Sequence, residues 1–160
     1  MNRDWNIRRH SLLIVGLSLL GLSFGCTLAP VKPVTGYTPA IGEKAARIAV
    51  TMAGRPYRPK GDSPEGFDCS GLVQYSYLAA GLNVPHGTKA LLATTQPVKK
   101  GLLKGDLLFF NEDGKKASHV GIYLGNNTFV HAPSSGKKVR KDSLKDPYWE
   151  KSFVEARRFP

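Results

Sequence analysis

The chain has 160 residues, of which 41% are hydrophobic and 22% charged, and its formal net charge is +11. This length suits one domain and is short for two, and the composition is that of an ordinary globular protein. The basic residues are spread along the chain, so the charge indicates either a solvated surface or affinity for a polyanion. The sequence has no Gly-rich phosphate loop, zinc-finger spacing or nucleic-acid motif, and we expect no nucleic-acid partner.

The first 25 residues have the pattern of a bacterial export signal. Arg3, Arg8 and Arg9 form a positive segment, and an uncharged, apolar stretch follows from Ser11 to Phe24. A helix that spans a bilayer needs roughly 20 apolar residues, and this stretch is shorter. Its length fits the hydrophobic region of a signal peptide, so we predict a signal over residues 1–25.

Cys26 follows this signal and is a candidate site of lipid attachment. Gly25 before it resembles the cleavage site of bacterial lipoproteins, in which the cysteine is acylated and becomes the first residue. Those proteins usually have Leu three residues before the cysteine, where this chain has Ser23. Lipidation of Cys26 is therefore the prediction, and an uncleaved membrane anchor or ordinary secretion are the alternatives.

A proline-rich tether is predicted between the signal and the folded domain. Residues 26–39 contain Pro30, Pro33 and Pro39, which favour an extended chain. The remaining residues, 40–160, are expected to form one folded domain.

Three helices are predicted in the first half of this domain. Apolar residues recur at helical spacing from Ile41 to Met52. A second helix is predicted from Cys69 to Ala80, with Gly81 as its stop, and a third from Thr88 to Gln96, with Thr88 as its cap.

The second half of the domain has the alternating pattern of strands. Asn126 and Asn127 predict a tight hairpin turn. The predicted strands are Asp106–Phe110, Ser118–Gly125, Asn127–Ala132, KKVRKDSL at 137–144 and SFVEARRF at 152–159. Helices followed by antiparallel strands predict an α+β fold, in which the N-terminal helices pack on an antiparallel sheet.

Cys69 lies at the first position of the second predicted helix, directly after a Gly-containing loop. The amide groups and dipole at that end of a helix favour a thiolate and can bind a developing oxyanion. Cys69 is therefore a candidate nucleophile. A small core residue, a metal ligand or a disulfide with Cys26 are the alternatives, and acylation of Cys26 would exclude the disulfide.

Two histidines lie on the strands that flank the predicted hairpin turn. Counting from that turn places His119 two or three positions beyond the partner of His131, so the two side chains are expected on one face. A thiol, a base and an orienting group form the arrangement of covalent acyl transfer. Structural histidines, or a metal site of Cys69, His119 and His131, are alternatives, although no CxxC or HExxH motif supports a metal.

The segments FDCSGLV, GDLLFF and HVGIYLGNNTFVHA occur in this order. Together they closely resemble the NlpC/P60 family of papain-like cysteine peptidases, which cut cell-wall peptides. The tail DPYWEKSFVEARR also resembles the end of enterobacterial lipoprotein members of that family. The resemblance extends from about Ile41 to the C-terminus and implies a papain-like NlpC/P60 fold.

The resemblance implies roles for individual residues. Cys69 matches the family nucleophile, His119 the general base and His131 the polar group that orients the base. Tyr57 matches a tyrosine whose hydroxyl lies near the nucleophile and assists the oxyanion.

Asp68 and Ser70 match the segment that lines the substrate cleft, and Gly71 matches a position that needs close packing. The chain departs from the family pattern at Pro59 and Lys60, where a glycine pair is common, and at His86, where many members have arginine. These departures bear on substrate choice. We expect His86 at the surface or the cleft rim; a substrate contact and a replacement for the arginine are the alternatives.

The resemblance implies a peptidoglycan endopeptidase that works through a thioester acyl-enzyme and needs no metal or organic cofactor. The expected substrates are cell-wall stem peptides or their D-Ala–diaminopimelate or γ-D-Glu–diaminopimelate bonds. We expect a monomer in the bacterial cell envelope, anchored through Cys26 to the outer membrane and facing the periplasm. A non-catalytic wall-binding lipoprotein and an amidase or acyltransferase on the same fold are the alternatives.

Overall fold

The computed structural model describes residues 33–112, 114–134 and 138–160. The predicted signal peptide, Cys26 and the tether up to residue 32 lie outside the described residues. The helices are α1 (Pro39–Thr51), α2 (Cys69–Ala80), α3 (Thr88–Thr94) and α4 (Pro147–Ser152). The strands are β1 (Asp62–Ser63), β2 (Gly66–Phe67), β3 (Gln96–Pro97), β4 (Leu107–Glu112), β5 (Lys115–Gly125), β6 (Thr128–His131), β7 (Arg140–Ser143) and β8 (Phe153–Arg158). In these ranges, no helix has the length and apolar character needed to cross a bilayer.

The first two helices are defined by their caps. The Thr38 side chain accepts a hydrogen bond from the Ile41 amide, and Pro39 occupies the first turn, so α1 begins two residues before the predicted start. The predicted bounds of α2 are confirmed: Asp68 caps its first turn, and Gly81 ends it at φ +106°, in the left-handed region that favours glycine.

The prediction for α3 was partly wrong. Thr88 is the first helical residue rather than the cap, because Gly87 takes the capping position without a side-chain hydrogen bond. The helix ends at Thr94 instead of Gln96, because Gln96 pairs with Arg158 in the sheet.

Six strands form one sheet in the order β3-β8-β4-β5-β6-β7, with antiparallel pairing throughout. The helices α1 and α2 pack on each other and on β5. Their buried apolar residues join Leu107, Phe109, Val120, Ile122 and Val130 in the larger hydrophobic core. The predicted α+β fold, with helices on an antiparallel sheet, is confirmed.

The opposite face of the sheet carries a smaller hydrophobic cluster. It consists of Leu108, Phe110, Tyr123, Phe129, Trp149 and Ala156. Trp149 comes from α4, which the sequence analysis did not predict. This short helix begins because the Asp146 side chain accepts a hydrogen bond from the Tyr148 amide and Pro147 occupies its first turn.

The β5–β6 hairpin fixes the register of the two histidines. Asn126 and Asn127 have φ angles of 51° and 58°, as a two-residue type I′ turn requires, which confirms the predicted turn. Ile122 pairs with Val130, and the same register places His131 opposite Gly121. His119 lies two residues before Gly121, further from the turn. The prediction that both side chains share one face is confirmed.

Candidate active site

The start of α2 holds Cys69 in a closely packed setting. The Asp68 carboxylate caps the helix by accepting a hydrogen bond from the Gly71 amide at 2.7 Å. A Cβ atom at Gly71 would overlap the carbonyl oxygen of Gly61, so only glycine allows the loop to approach this close. The prediction that Gly71 permits close packing is confirmed.

Burial dominates the electrostatics of the thiol. It raises the pKa of Cys69 to about 12, although hydrogen bonds with the backbone of Val120 and Ser70 act to lower it. The negative charge of Asp68 raises the pKa of Cys69 further. The expectation that the helix end would favour a thiolate was therefore wrong for this structure. Desolvation outweighs the helix dipole, and the Gly71 amide is already bonded to Asp68.

The hydrogen bond with Val120 also shows what faces the thiol. Val120 follows His119 directly on β5, so the first residue of α2 lies against the strand that carries this histidine. Cys69 is a free cysteine. The sequence predicted that a histidine would stand close to Cys69, and the packing of α2 on β5 brings the two segments together.

The two histidines are in direct contact. Nε2 of His119 lies 2.8 Å from Nδ1 of His131, and the rings meet edge to face with centroids 5.0 Å apart. Both side chains are almost completely buried, with 2% and 0% of their surface exposed. Burial lowers the pKa of His119 to about 3 and that of His131 to about 4. At neutral pH both imidazoles are uncharged.

Two carboxylates lie at the ends of this histidine pair. Oδ2 of Asp142 is 3.0 Å from Nε2 of His131, and Oε2 of Glu112 is 3.4 Å from Nδ1 of His119. The sequence analysis did not identify either acid. Asp142 reaches His131 because Arg140 pairs with His131 and strand alternation places residue 142 on the same face, a pairing that the sequence did not reveal.

Trp149 belongs to the hydrophobic cluster on the sheet face opposite α1 and α2, and it contacts both histidine rings on that face. Its ring stacks on His119 at a centroid distance of 5.6 Å and meets His131 edge to face at 4.8 Å. Its Nε1–H donates a hydrogen bond to Asp142 at 2.9 Å. The sequence analysis missed this residue because it did not predict α4, although Asp146-Pro147 is a common start of a helix.

Tyr57 lies at the same site and is partly buried. Burial raises the pKa of its phenol, and electrostatic interactions with Cys69, Asp68 and Glu112 raise it further. The structure therefore places Tyr57 within electrostatic range of the thiol, and its role at the oxyanion stays a prediction.

A second polar cluster surrounds Asp68. The buried Ser70 hydroxyl donates to Oδ1 of Asp68 at 2.8 Å, and Nε2 of His86 lies 3.0 and 3.1 Å from the two carboxylate oxygens. Although burial raises the pKa of Asp68, the hydrogen bonds from Gly71, His86 and Ser70 hold it below its ordinary value. His86 is partly buried as the partner of Asp68, and Ser70 points to Asp68.

The histidine pair does not have the geometry of a metal site. The facing nitrogens are at hydrogen-bond distance from each other. Across residues 33–112, 114–134 and 138–160, no group of three or more His, Cys, Asp or Glu side chains has an arrangement that could hold an ion.

A free cysteine at the start of a helix, packed against the strand that carries one member of a buried histidine pair, defines a thiol–imidazole site on an α+β fold. The model of the NlpC/P60 family matches residues 54–158. The chain therefore belongs to the NlpC/P60 family.

Individual relatives agree with this assignment. The murein DD-endopeptidase MepH of Escherichia coli is 39% identical over 126 residues, which cover 72% of this chain and 46% of the relative. MepS of the same organism, named a murein DD-endopeptidase and murein LD-carboxypeptidase, is 42% identical over 104 residues, or 64% of this chain and 54% of the relative. The chain thus spans about half the length of these relatives.

A solved structure of a family member also agrees with this family assignment. A Staphylococcus aureus protein described as similar to a lipoprotein of the NLP/P60 family has a crystal structure that superposes with a TM-score of 0.68 at 32% identity. The match covers 82% of this chain and 45% of the other chain. The NlpC/P60 fold expected from the sequence is confirmed.

Proposed function

We propose that this protein is a cysteine endopeptidase that hydrolyses peptide bonds in peptidoglycan. The observation that carries the proposal is the free Cys69 at the start of α2, packed against the strand that carries His119, whose ring is hydrogen-bonded to His131. Membership of a family whose relatives include named murein endopeptidases gives the substrate class.

In the proposed reaction, His119 removes the proton of the Cys69 thiol as the sulfur attacks the peptide carbonyl. A thioester forms between Cys69 and the acyl part of the substrate, and His119 then protonates the leaving amine. Water hydrolyses the thioester and restores the thiol. Both groups are neutral at rest, because burial raises the pKa of Cys69 and lowers that of His119, so proton transfer accompanies the attack.

The other residues of the site support this reaction. His131 holds the His119 ring through the 2.8 Å hydrogen bond and stabilises its charged form. The amide groups at the start of α2 and the Tyr57 hydroxyl are proposed to bind the oxyanion. Asp68 and Ser70 are proposed to shape the substrate side of the cleft, with His86 as the partner of Asp68.

The proposed location is the cell envelope. The N-terminal sequence supports removal of residues 1–25 and acylation of Cys26, followed by residues 26–39 as a tether to the domain at 40–160. We further propose an outer-membrane anchor that leaves the domain facing the periplasm. Mass measurement of the N-terminal peptide from the membrane fraction tests this: a diacylated Cys26 supports it, and an unmodified Met1 contradicts it.

Mass spectrometry of muropeptides tests the proposed activity. Purified sacculi are incubated with the full chain in detergent, and with the Cys69→Ala variant as the matched control. Conversion of cross-linked dimers to monomers by the parent alone indicates cleavage of D-Ala–diaminopimelate bonds. Shortened stems indicate cleavage at γ-D-Glu–diaminopimelate. Equal products from parent and variant would contradict the proposal.

A further inference from the structure

Asp142 contacts the His131 end of the histidine pair, whereas Glu112, whose charge acts on the Cys69 thiol, contacts Nδ1 of His119 at the other end. We propose that Asp142 is a positioning residue, which fixes the protons of His131 and His119 so that Nδ1 of His119 keeps the lone pair that accepts the thiol proton. This inference rests on the proposed function and assigns a role to a residue outside the Cys69–His119–His131 set.

Three donors surround the Asp142 carboxylate. His131 Nε2 lies at 3.0 Å, Trp149 Nε1 at 2.9 Å, and Arg140 Nε at 3.2 and 3.0 Å from the two oxygens. Arg140 and indole nitrogens only donate, and an ionised carboxylate only accepts. The geometry therefore places a proton on Nε2 of His131.

That proton determines the rest of the chain of hydrogen bonds. A neutral imidazole carries one N–H and one lone pair, so His131 presents the lone pair of Nδ1 to His119. Nε2 of His119, at 2.8 Å, must then be the donor. Nδ1 of His119 is left without a proton, as a general base requires.

The contact between His119 and Glu112 agrees with this assignment of protons. Two neutral imidazoles hold two protons, and three contacts connect them to each other and to the two acids. The two shorter contacts, at 2.8 and 3.0 Å, receive these protons. The longest contact, 3.4 Å between Nδ1 of His119 and Glu112, is the one without a proton.

The thiol supplies the missing proton in the proposed reaction. The S–H bond of Cys69 breaks and an N–H bond forms at Nδ1 of His119, while the electron pair of the S–H bond stays on sulfur. The imidazolium that results lies between Glu112 on one side and, through His131, Asp142 on the other. Both carboxylates stabilise its charge.

The Asp142 side chain reaches solvent although its partner His131 is completely buried. Its side chain is 20% exposed and lines an open cleft of about 430 Å³, together with Arg140, Ser143, Asp146, Tyr148 and Trp149. Nε of the Arg140 guanidinium lies 3.0 Å from Oδ2 of Asp142. The hydrogen bonds of His131 and His119 connect Asp142 to the base that is proposed to act on Cys69.

The test compares Asp142→Asn with Asp146→Asn in the full chain, purified in detergent with ¹⁵N-labelled histidine. Asparagine at 142 has nearly the same shape but can donate to Nε2 of His131, which would reverse both tautomers. Asp146 lines the same cleft and caps α4 through the Tyr148 amide, and asparagine is an equally good cap. The tautomers are read from ¹⁵N chemical shifts, and kcat and KM are measured on soluble cross-linked muropeptides.

For the parent and Asp146→Asn we expect protons on Nε2 of both His119 and His131. For Asp142→Asn we expect a reversed or mixed tautomer and a kcat at least ~100-fold lower, with KM nearly unchanged. Asp142→Glu, which keeps the carboxylate, should recover part of kcat. Thermal unfolding confirms that each variant is folded.

Two results would overturn the inference: a parent with a proton on Nδ1 of His119, or an Asp142→Asn variant with the tautomers and kcat of Asp146→Asn. A parent with the expected tautomers but no hydrolysis of any muropeptide would support the proton arrangement and would overturn the proposed peptidase function instead.

Discussion

Two polar clusters flank Cys69, and they differ in burial. On the sheet side, the His119–His131 pair is almost fully buried and is held by Trp149 and two acids. On the loop side, Asp68 and His86 keep 17% and 28% of their side chains exposed. The buried cluster can fix proton positions because water does not compete for its hydrogen bonds, whereas the exposed cluster is placed to meet a substrate.

The largest difference between the clusters should appear when one histidine is removed from each. His119→Ala removes the proposed base, so we expect kcat to fall ~1,000-fold or more. His86→Ala leaves the base in place, so kcat should change less than ~10-fold. Steady-state kinetics on muropeptides provide the measurement, and similar losses of kcat in the two variants would remove the distinction between the clusters.

A smaller effect is expected from Trp149→Phe. Phenylalanine keeps an aromatic ring near both histidines but removes the Nε1–H that donates to Asp142. We expect kcat to fall ~10-fold and the free energy of unfolding to fall by about 1 kcal/mol, as for one lost hydrogen bond. Denaturant unfolding and kinetics measure both quantities. An unchanged kcat would show that the Trp149 donor does not support the hydrogen bonds from Asp142 through His131 to His119.

The sheet-side cluster should also make stability depend on pH. Burial lowers the pKa of His119 to about 3 and of His131 to about 4, from an ordinary value of 6.5. Between about pH 4 and pH 6.5 the unfolded chain therefore binds more protons than the folded protein, and the free energy of unfolding should decrease as the pH falls.

Urea unfolding across this range measures the dependence. His131→Gln removes one of the two groups and should give a flatter profile than the parent. A parent whose stability is constant from pH 6.5 to pH 4 would contradict the assignment of buried, neutral histidines.

The smallest effect is expected on the loop side. His86→Gln removes the ring nitrogen that binds Asp68 but keeps a polar side chain. Because Asp68 retains its hydrogen bonds from Gly71 and Ser70, we expect KM to rise only ~2–5-fold and kcat to stay nearly constant. A loss that falls mainly on kcat would place His86 in the reaction itself.

Local patterns in the sequence predicted the parts of this site that depend on short-range rules. The bounds of α2 followed from its position after a loop and from Gly81, and the shared face of His119 and His131 followed from the Asn126-Asn127 turn.

The missed features depend on distant parts of the chain. Glu112, Asp142 and Trp149 come from β4, β7 and α4, and only the packed sheet brings them to the histidines. The wrong expectation for the thiol has a similar origin. A helix start favours the thiolate, but the burial that raises the pKa of Cys69 is produced by the tertiary structure.

The most direct test of this account is the protonation state of Cys69 at rest. The thiolate is titrated by its ultraviolet absorbance, as the difference between the parent and Cys69→Ala. We predict no thiolate signal at neutral pH, because the pKa of Cys69 is raised to about 12 and the neighbouring imidazoles are neutral. A full thiolate signal at neutral pH would mean a resting thiolate–imidazolium pair, and it would contradict the reaction from a neutral thiol and a neutral His119.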